Sequence, residues 1–284
     1  LGGKQELIKL GVFDEVDMAM MCHTDPEGFK LAIGGSSNGH IVKFVQFSGQ
    51  SAHAGGAPHK GVNALNAAVL ALSAINANRE TFRDEDTVRV HGILTSGGEA
   101  VSAIPANVTL EWRVRSSSLE ALLINSEKVD RCFKAGALAV GADVQITNIP
   151  GYMPMKNDPI MQDIFLNNAR TLIQEDELLI RPPSLVRGGS TDMGDLAQII
   201  PLIHPYCGGA SGTAHSDNYL IDDYEAAVIN PAKAMAASVI DLLAENGSKA
   251  KEVKQKSRPD MSKSQYLNFQ RSRAEIIRFE GKSI

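Results

Sequence analysis

Regular spacing of apolar residues divides the middle of the chain into strands and helices. Apolar and polar residues alternate over 107–115, which is typical of a half-exposed strand, whereas over 62–75 apolar residues recur at helical spacing. The predicted strands and helices cover, in chain order, 41–48, 62–75, 87–95, 107–115, 119–140 and 143–149. Their order is β-α-β-β-α-β, which predicts a ferredoxin-like α+β domain with both helices on one face of an antiparallel sheet.

The segments before and after this region are predicted to form a second structural unit. The first contains a short helix and an apolar strand that ends at His23, followed by a glycine-containing loop. After Gly151 the pattern predicts a helix over 158–173, a strand over 199–206 and a long helix over 224–245. Each segment is too small to bury a hydrophobic core alone. We therefore predict one α/β domain with the ferredoxin-like domain inserted between its two segments.

The end of the chain has little core-forming content. From Asn246 onward the sequence is rich in Lys, Arg and Ser, which predicts a charged tail. The predicted domains are 1–38 and 151–245 for the α/β domain, 39–150 for the inserted domain and 246–284 for the tail.

Composition restricts the classes of partner. The 284 residues are 43% hydrophobic and 21% charged, as in a soluble globular protein. The net charge of −5 argues against nucleic acid as the main partner, because phosphate contacts need a basic surface. No apolar run reaches the roughly 20 residues of a membrane helix, so we expect no membrane association. Three widely spaced cysteines and a start without signal-peptide features predict a cytoplasmic protein.

Three of the seven histidines lie in contexts that suggest chemistry. His23 ends a strand at the boundary where open α/β sheets bind ligands, and His215 lies in a Gly-Thr-Ala-His loop after an apolar strand. His53 lies among Ala and Gly residues, so either a site requires it or it is simply solvated. The turn from Gly188 to Asp192 is either an anion cradle or an ordinary helix N-cap.

Three runs of sequence carry a resemblance to a known family. They are GGKQELIKLGVFDEVDMAMMCH, SGQSAHAGGAPHKGVNALNAAV, and STDMGDLAQIIPLIHPY followed by GTAHS. In the order and spacing of these motifs, from about Gly2 to about Ala244, the chain resembles the aminoacylase/carnosinase-type zinc metallopeptidases. Within this family it is most similar to the amidohydrolase branch of p-aminobenzoyl-glutamate hydrolase.

The resemblance implies an architecture and an activity. The α/β domain would be catalytic, and the inserted ferredoxin-like domain would be a dimerisation and lid domain that forms a homodimer. A divalent metal centre, with two Zn or alternatively Mn or Co, would activate a water molecule. This water would hydrolyse an amide bond in a small N-acyl amino acid or dipeptide-like substrate.

The resemblance also assigns roles to individual residues. His23 and His215 would be metal ligands, and His53 would reach the active site of the partner subunit and stabilise the oxyanion that forms there. The residues implied in substrate binding are Ser102, Arg115, Gly189, Thr191 and Asp192. Ser102 stands where the family usually has Asn, and a Ser side chain is shorter.

The remaining metal ligands and the glutamate general base of this family lie upstream of the matching region. The chain begins just after that point, at Leu1. We therefore expect it to be the C-terminal part of such an enzyme, with the rest present in a longer chain or supplied by another chain. The alternative is a catalytically inactive dimerisation or binding module.

Overall fold

The computed structural model describes residues 2–281, which form two compact units. The first unit contains residues 2–37 and 155–266, and the second contains residues 38–154 and 267–281. The chain therefore leaves the first unit after Ser37 and re-enters it at Met155.

The helices and strands are numbered in chain order within the described residues. The strands are β1 (Ala19–Met20), β2 (His23–Thr24), β3 (Leu31–Ser37), β4 (Gly39–Ser48), β5 (Arg89–Ser96), β6 (Asn107–Ser116), β7 (Asp143–Pro150), β8 (Leu178–Arg187), β9 (Leu202–Ile203), β10 (Tyr206–Cys207), β11 (Ala210–Ser211), β12 (Leu220–Ile221) and β13 (Glu275–Glu280). The α-helices are α1 (Gly3–Leu10), α2 (Ala64–Asn78), α3 (Leu119–Val140), α4 (Pro159–Ala169), α5 (Met193–Leu196), α6 (Asn230–Lys256) and α7 (Lys263–Arg273), and a π-helix (Glu225–Ile229) precedes α6.

The second unit is an antiparallel sheet with two helices packed on it. The strand order is β13-β7-β4-β6-β5, and the elements from β4 to β7 follow the order β-α-β-β-α-β. Val45 of β4 lies opposite Leu110 of β6 and Ile146 of β7, and all three are buried. This face of the sheet holds the core, because alternate residues of neighbouring strands point to the same side.

Small residues let the two helices of this unit approach each other closely. The buried face of α2 contains Ala67, Ala68 and Ala71. A Cβ atom added to Gly136 of α3 would lie 2.3 Å from the backbone oxygen of Ala67, so a larger residue cannot be accommodated there. Phe133 of α3 completes the core by packing edge to face against the Trp112 ring, with 6.3 Å between ring centroids.

A buried ion pair lies between the sheet and α3. The Lys43 side chain is fully buried, and its Nζ donates hydrogen bonds to Asp130 Oδ1 at 2.6 Å and Asn148 Oδ1 at 2.8 Å. Asn148 Nδ2 in turn donates to Glu275 Oε1 of β13 at 3.2 Å. Burial lowers the pKa of Lys43 and raises the pKa of Asp130, and the attraction between the two charges opposes both shifts.

The predicted charged tail is wrong for residues 246–281, which form the end of α6, then α7 and β13. Tyr266 is fully buried in the first unit, and its hydroxyl donates to Asp195 Oδ1 at 2.9 Å. In the second unit β13 pairs with β7 and packs Ile277 and Phe279 against the core. These few apolar residues are diluted by charged ones, so composition alone does not reveal them. Residues 282–284 of the predicted tail lie outside the described residues.

The first unit is built on short strands. Its four-stranded sheet has the order β2-β10-β3-β8, where β10 is parallel to β2 and antiparallel to β3, and β3 is parallel to β8. β1 pairs with β9 in a separate parallel pair. The predicted strand over 199–206 is interrupted at His204 and Pro205, between β9 and β10. The core beneath the sheet contains Phe165 of α4 and Ala234 of α6.

One helical stretch, Glu225–Lys256, is long and apolar enough to cross a membrane by length and composition, a criterion that core helices also meet. Its Ala234, Ser238 and Leu242 are buried in the first unit. The backbone leaves helical geometry over 244–247, where Asn246 has a left-handed φ of 58°. These features are those of a helix that packs on a protein core.

The buried ion pair generates a stability prediction. Asp130→Ala leaves the Lys43 ammonium buried without a carboxylate, so we expect the free energy of unfolding to fall by about 3 kcal/mol. The double variant Lys43→Met/Asp130→Leu should lose less, because no charge is left buried. Urea unfolding checks this, with Glu175→Ala as a control that breaks an exposed ion pair with Arg170. Equal stability of Asp130→Ala and the control would contradict the prediction.

Candidate active site

The first predicted metal ligand, His23, is oriented by its own backbone. It opens β2, and its exposed ring places Nδ1 2.6 Å from the backbone oxygen of Thr24. A carbonyl oxygen only accepts, so Nδ1 carries a proton, and in the neutral ring Nε2 keeps its lone pair. This tautomer is the one in which a histidine binds a metal through Nε2 while its other nitrogen is held by a hydrogen bond.

His204 lies beside His23 and is almost fully buried. It occupies the break between β9 and β10 and is 3% exposed, and its ring stacks on that of His23 with 6.2 Å between centroids. Neither of its ring nitrogens bonds another residue within the described residues. Burial, helped by the charges of His23 and Lys4, lowers its pKa to about 4, so the ring is neutral at pH 7.

A buried ion pair lies next to these rings. Asp25, two residues after His23, is buried, and its Oδ2 lies 2.6 Å from Nη2 of Arg187 at the end of β8. The Arg187 guanidinium stacks over the Tyr206 ring at 4.3 Å from the centroid. Burial lowers the pKa of Arg187, but the bond to Asp25 and the nearby Tyr206 and Glu27 outweigh burial and raise the pKa overall.

Only part of the glycine-rich turn that follows β8 makes contacts with other residues. Gly189 is exposed, with open space where a side chain would be. Thr191 Oγ1 accepts a hydrogen bond from the backbone N–H of Met193 at 3.3 Å, as a capping side chain does. The Asp192 carboxylate pairs with Lys4, whose Nζ donates to Oδ1 at 2.6 Å. Asp192 therefore ties the turn to α1.

The second predicted metal ligand, His215, lies in the exposed loop between β11 and β12. Its backbone is left-handed, with φ at 67°, which is uncommon for a residue other than glycine. The Tyr219 hydroxyl of this loop lies 2.7 Å from the Thr24 hydroxyl, so the loop is tethered beside His23. Within the described residues, no group of three or more His, Cys, Asp or Glu side chains is arranged to hold a metal ion.

The predicted catalytic residue His53 lies in the second unit, and its Nδ1 has the opposite hydrogen-bonding role from that of His23. Its Nδ1 accepts hydrogen bonds from the backbone N–H groups of Gly55 at 3.2 Å and Gly56 at 2.9 Å. The proton is therefore on Nε2, and the exposed ring presents it as a donor. The predicted substrate-binding Ser102 belongs to the same structure, because its backbone oxygen accepts from the N–H of Ala54 at 2.8 Å.

Arg115 lies on the face of the second unit's sheet that is opposite the helices. Its Nε donates to Nε2 of His91 at 3.2 Å, and His40 lies directly across from it on β4. Burial, followed by the charges of Arg115 and Arg113, lowers the pKa of His40 to about 4. Burial, followed by the charges of Arg115 and Arg113, also lowers the pKa of His91, so the two arginines carry the positive charge of this patch.

Comparisons with known proteins identify the lineage. Residues 31–139 match the peptidase dimerisation domain of the M20 family. The chain is 32% identical over 256 residues to the Xaa-Arg dipeptidase of Mus musculus, covering 85% of this chain and 56% of that protein. It is 28% identical over 144 residues to one of the two p-aminobenzoyl-glutamate hydrolase polypeptides of Escherichia coli, covering 50% of this chain and 29% of that polypeptide.

A solved structure agrees with these relatives. The Bacillus subtilis YXEP protein, described as a dinuclear metal binding peptidase from the M20 family, superimposes with a TM-score of 0.65 at 18% identity. The match covers 84% of this chain and 61% of that one. This chain contains the peptidase dimerisation domain of the M20 family. The resemblance inferred from the sequence motifs is thereby confirmed, and so is descent from hydrolases. The chain spans 56% of the length of the dipeptidase.

Sequence reasoning did not assign Asp25 or Arg187 to the candidate site. The sequence pattern favours a histidine within a strand at His204, either in the core or supporting a metal ligand, and the structure places it buried beside His23 at a break in the strand. The available signals were an acidic residue two positions after a predicted ligand and an arginine directly before the glycine-rich turn. Neither signal indicates a site by itself, because the ion pair of Asp25 with Arg187 forms only in the folded chain.

The hydrogen bonds of His23 and His53 generate a spectroscopic prediction. At a pH at which both rings are neutral, we expect His23 to carry its proton on Nδ1 and His53 on Nε2. Long-range nitrogen–proton NMR correlations distinguish the two tautomers. His59, whose ring has no hydrogen-bond partner among the described residues, is the reference. The same tautomer at His23 and His53 would refute the assigned hydrogen bonds.

Proposed function

We propose that this chain is part of an M20 amidohydrolase that cleaves the amide bond of small N-acyl amino acids or dipeptide-like substrates. The observation that carries the proposal is the orientation of His23, whose Nδ1 donates to the Thr24 carbonyl and whose Nε2 is free to bind a metal. The named relatives support the substrate class, because a dipeptidase and p-aminobenzoyl-glutamate hydrolase both act on an amide next to an amino acid.

His23 and His215 are proposed to hold a divalent metal. The tether between Tyr219 and Thr24 supports this pairing, because it keeps the loop of His215 beside His23. Imidazole ligands suit Zn, with Mn and Co as alternatives, and the dinuclear description of the YXEP protein supports two ions. When bound, the metal supplies a Lewis acid for the amide carbonyl and for the attacking water. The further ligands are proposed to come from outside the described residues.

The chain's other predicted residues are proposed to position the substrate. The Nε2–H of His53 would donate to the amide oxygen as negative charge develops on it, and its two glycine N–H contacts keep the ring ready for this task. The Ser102 hydroxyl is carried by a segment bonded to that of His53 and would contact the same substrate. Arg115 and Thr191 are proposed to contact the substrate's polar groups.

We further propose that the second unit is a ferredoxin-like dimerisation and lid domain inserted into the catalytic domain, and that it forms a homodimer. Its β-α-β-β-α-β order and the strand order β7-β4-β6-β5 support this fold. β13 and β5 are the two edge strands in the described residues, and β13 carries the charged Glu275, Arg278 and Glu280, which disfavour pairing at that edge. Apolar side chains are exposed on β5, at Ile93 and Leu94, as expected for an edge that pairs with a second copy. We also propose a cytoplasmic location, in keeping with three unpaired cysteines.

Metal content and turnover test the catalytic proposal together. We expect His23→Ala and His215→Ala to lower the metal bound per chain, measured by elemental analysis of the purified protein. His53→Ala should keep the metal but slow hydrolysis of N-acyl amino acids by about 10²–10³-fold, as for a lost oxyanion donor. His59→Ala is the matched control for an exposed histidine near His53. If the wild type holds no metal and hydrolyses nothing, the alternative of a catalytically inactive binding module is favoured.

The edge of β5 generates the dimer prediction. Ile93→Lys places a charge on this edge, so we expect the dimer to dissociate, because a charged side chain would have to be buried in the interface. Ile276→Lys on β13 is the matched control, since Ile276 is 54% exposed and Ile93 is 62% exposed. Light scattering should give twice the chain mass for the wild type and the control, and one chain mass for Ile93→Lys. A monomeric wild type at micromolar concentration would count against the proposal.

A further inference from the structure

A cavity of about 470 Å³ lies in the first unit, outside the candidate active site. Its volume is within the range of roughly 300–1,000 Å³ that small-molecule sites have. The cavity has three walls, formed by 156–160 at the start of α4, by 197–202 at the start of β9 and by 256–260 at the end of α6. Among the described residues that line it, none is proposed above to bind a metal or a substrate. One of them, Asn157, contacts the candidate site, because its Oδ1 accepts from the backbone N–H of His204 at 2.7 Å.

Hydrogen bonds join the three walls to one another. The backbone N–H of Asp158 donates to the backbone oxygen of Leu202 at 2.8 Å, which joins the first wall to the second. The N–H of Met261 donates to the backbone oxygen of Gln198 at 3.0 Å, so the third wall is anchored to the second. The Ser257 hydroxyl donates to Asp158 Oδ2, which joins the third wall to the first. Walls that are bonded in this way form the cavity before a ligand arrives, and such pre-organisation favours binding.

Two of the walls give the cavity an apolar surface. Ile160, Ile200 and Pro201 line it, and each of them is only partly buried. The apolar part of a ligand would cover the area that these side chains still expose to water. Removing apolar area from water is favourable in proportion to the area removed. A ligand with an apolar body of several carbons is therefore favoured over a purely polar one.

The charged side chains of the cavity leave one cation free. The lining contains three cations and two acids, which are Lys156, Lys256, Arg258, Asp158 and Asp260. Lys156 pairs with Asp260, and Lys256 pairs with Glu252 at 2.8 Å. Arg258 is exposed, and its side chain forms no ion pair or hydrogen bond within the described residues. Its guanidinium is thus available for one acidic group, and its planar fork of N–H donors matches a carboxylate.

We propose that this cavity binds a small monocarboxylic acid with an apolar body. The carboxylate pairs with Arg258, and the body lies on Ile160 and Ile200. A neutral apolar molecule would leave the guanidinium unpaired, and a small hydrophilic acid would leave the apolar walls exposed to water. A ligand with several acidic groups is disfavoured, because the other cations of the cavity are already paired. This site goes beyond the proposed function and does not depend on it.

Three related ligands test both features of the site. The full chain is titrated calorimetrically with hexanoate, with hexanamide, which has the same apolar body without the charge, and with acetate, which has the charge without the body. We expect hexanoate to bind at least fivefold more tightly than either of the others, an effect in the range of an exposed ion pair or of a few buried carbons. A wild type that does not bind hexanoate would overturn the proposal, and so would equal binding of hexanoate and hexanamide or of hexanoate and acetate.

Two variants locate the site. We expect Arg258→Gln to lower the affinity for hexanoate at least fivefold, to the level of hexanamide, and to change the affinity for hexanamide less than twofold. Ile200→Ala should weaken hexanoate and hexanamide alike, by about threefold, because it removes apolar surface. Arg271→Gln is the matched control, since Arg271 is also exposed and without an ion pair within the described residues, but lies in the second unit. It should bind hexanoate as the wild type does, and wild-type affinity in Arg258→Gln would overturn the proposal.

Two further measurements separate this site from the candidate active site. Arg258→Gln should melt at the wild-type temperature, because its side chain is exposed and unpaired within the described residues, so a loss of hexanoate binding reports a lost contact. His23→Ala should bind hexanoate within twofold of the wild type. Loss of binding in His23→Ala would place the acid in the candidate active site and overturn this inference. A wild type that binds hexanoate at Arg258 but hydrolyses no N-acyl amino acid would refute the proposed function alone.

Discussion

Two residues of β10 hold the candidate site of the first unit together. Tyr206 pairs with His23 on one side and with Ala32 on the other, so a single short strand joins β2 to the rest of the sheet. The Tyr206 ring also supports the His204 ring and the Arg187 guanidinium. Gly208, which follows β10, allows this close approach, because a Cβ atom there would lie 1.8 Å from the backbone oxygen of Phe29. The positions of the imidazole rings and of the arginine thus follow from one backbone pairing.

The second unit could be predicted well from the sequence, and the first could not. The predicted strands over 41–48 and 107–115 correspond to β4 and β6, because residues that alternate between core and solvent over a full strand leave a clear period. In the first unit β1, β2, β9 and β10 have two residues each, which is too short for any period. No strand is predicted over β8, which contains Pro182 and Pro183, but β8 lies at the sheet edge, where prolines are tolerated.

The residues of the candidate site also fall into two groups, those that sequence motifs identify and those that only the folded structure identifies. His23, His53 and His215 were identified by motif, since they lie in contiguous runs that resemble one family. The ion pair of Asp25 with Arg187 joins residues that are far apart in the chain, so no local sequence pattern predicts it. The two ring nitrogens of His204 bond no other residue within the described residues only because of where its neighbours lie in space. This arrangement of buried polar atoms is therefore a property of the tertiary structure.

The pairing of β13 with β7 has a consequence for how copies of the chain can assemble. A sheet with two uncovered edges can add a neighbour at each end, and such growth does not close on itself. Here β13 is one edge strand, fixed by the Glu275 contact to Asn148, and its charged Glu275, Arg278 and Glu280 disfavour the addition of another strand. The remaining edge can be satisfied once, by a two-fold related copy. This strand therefore acts as a stop against fibre formation.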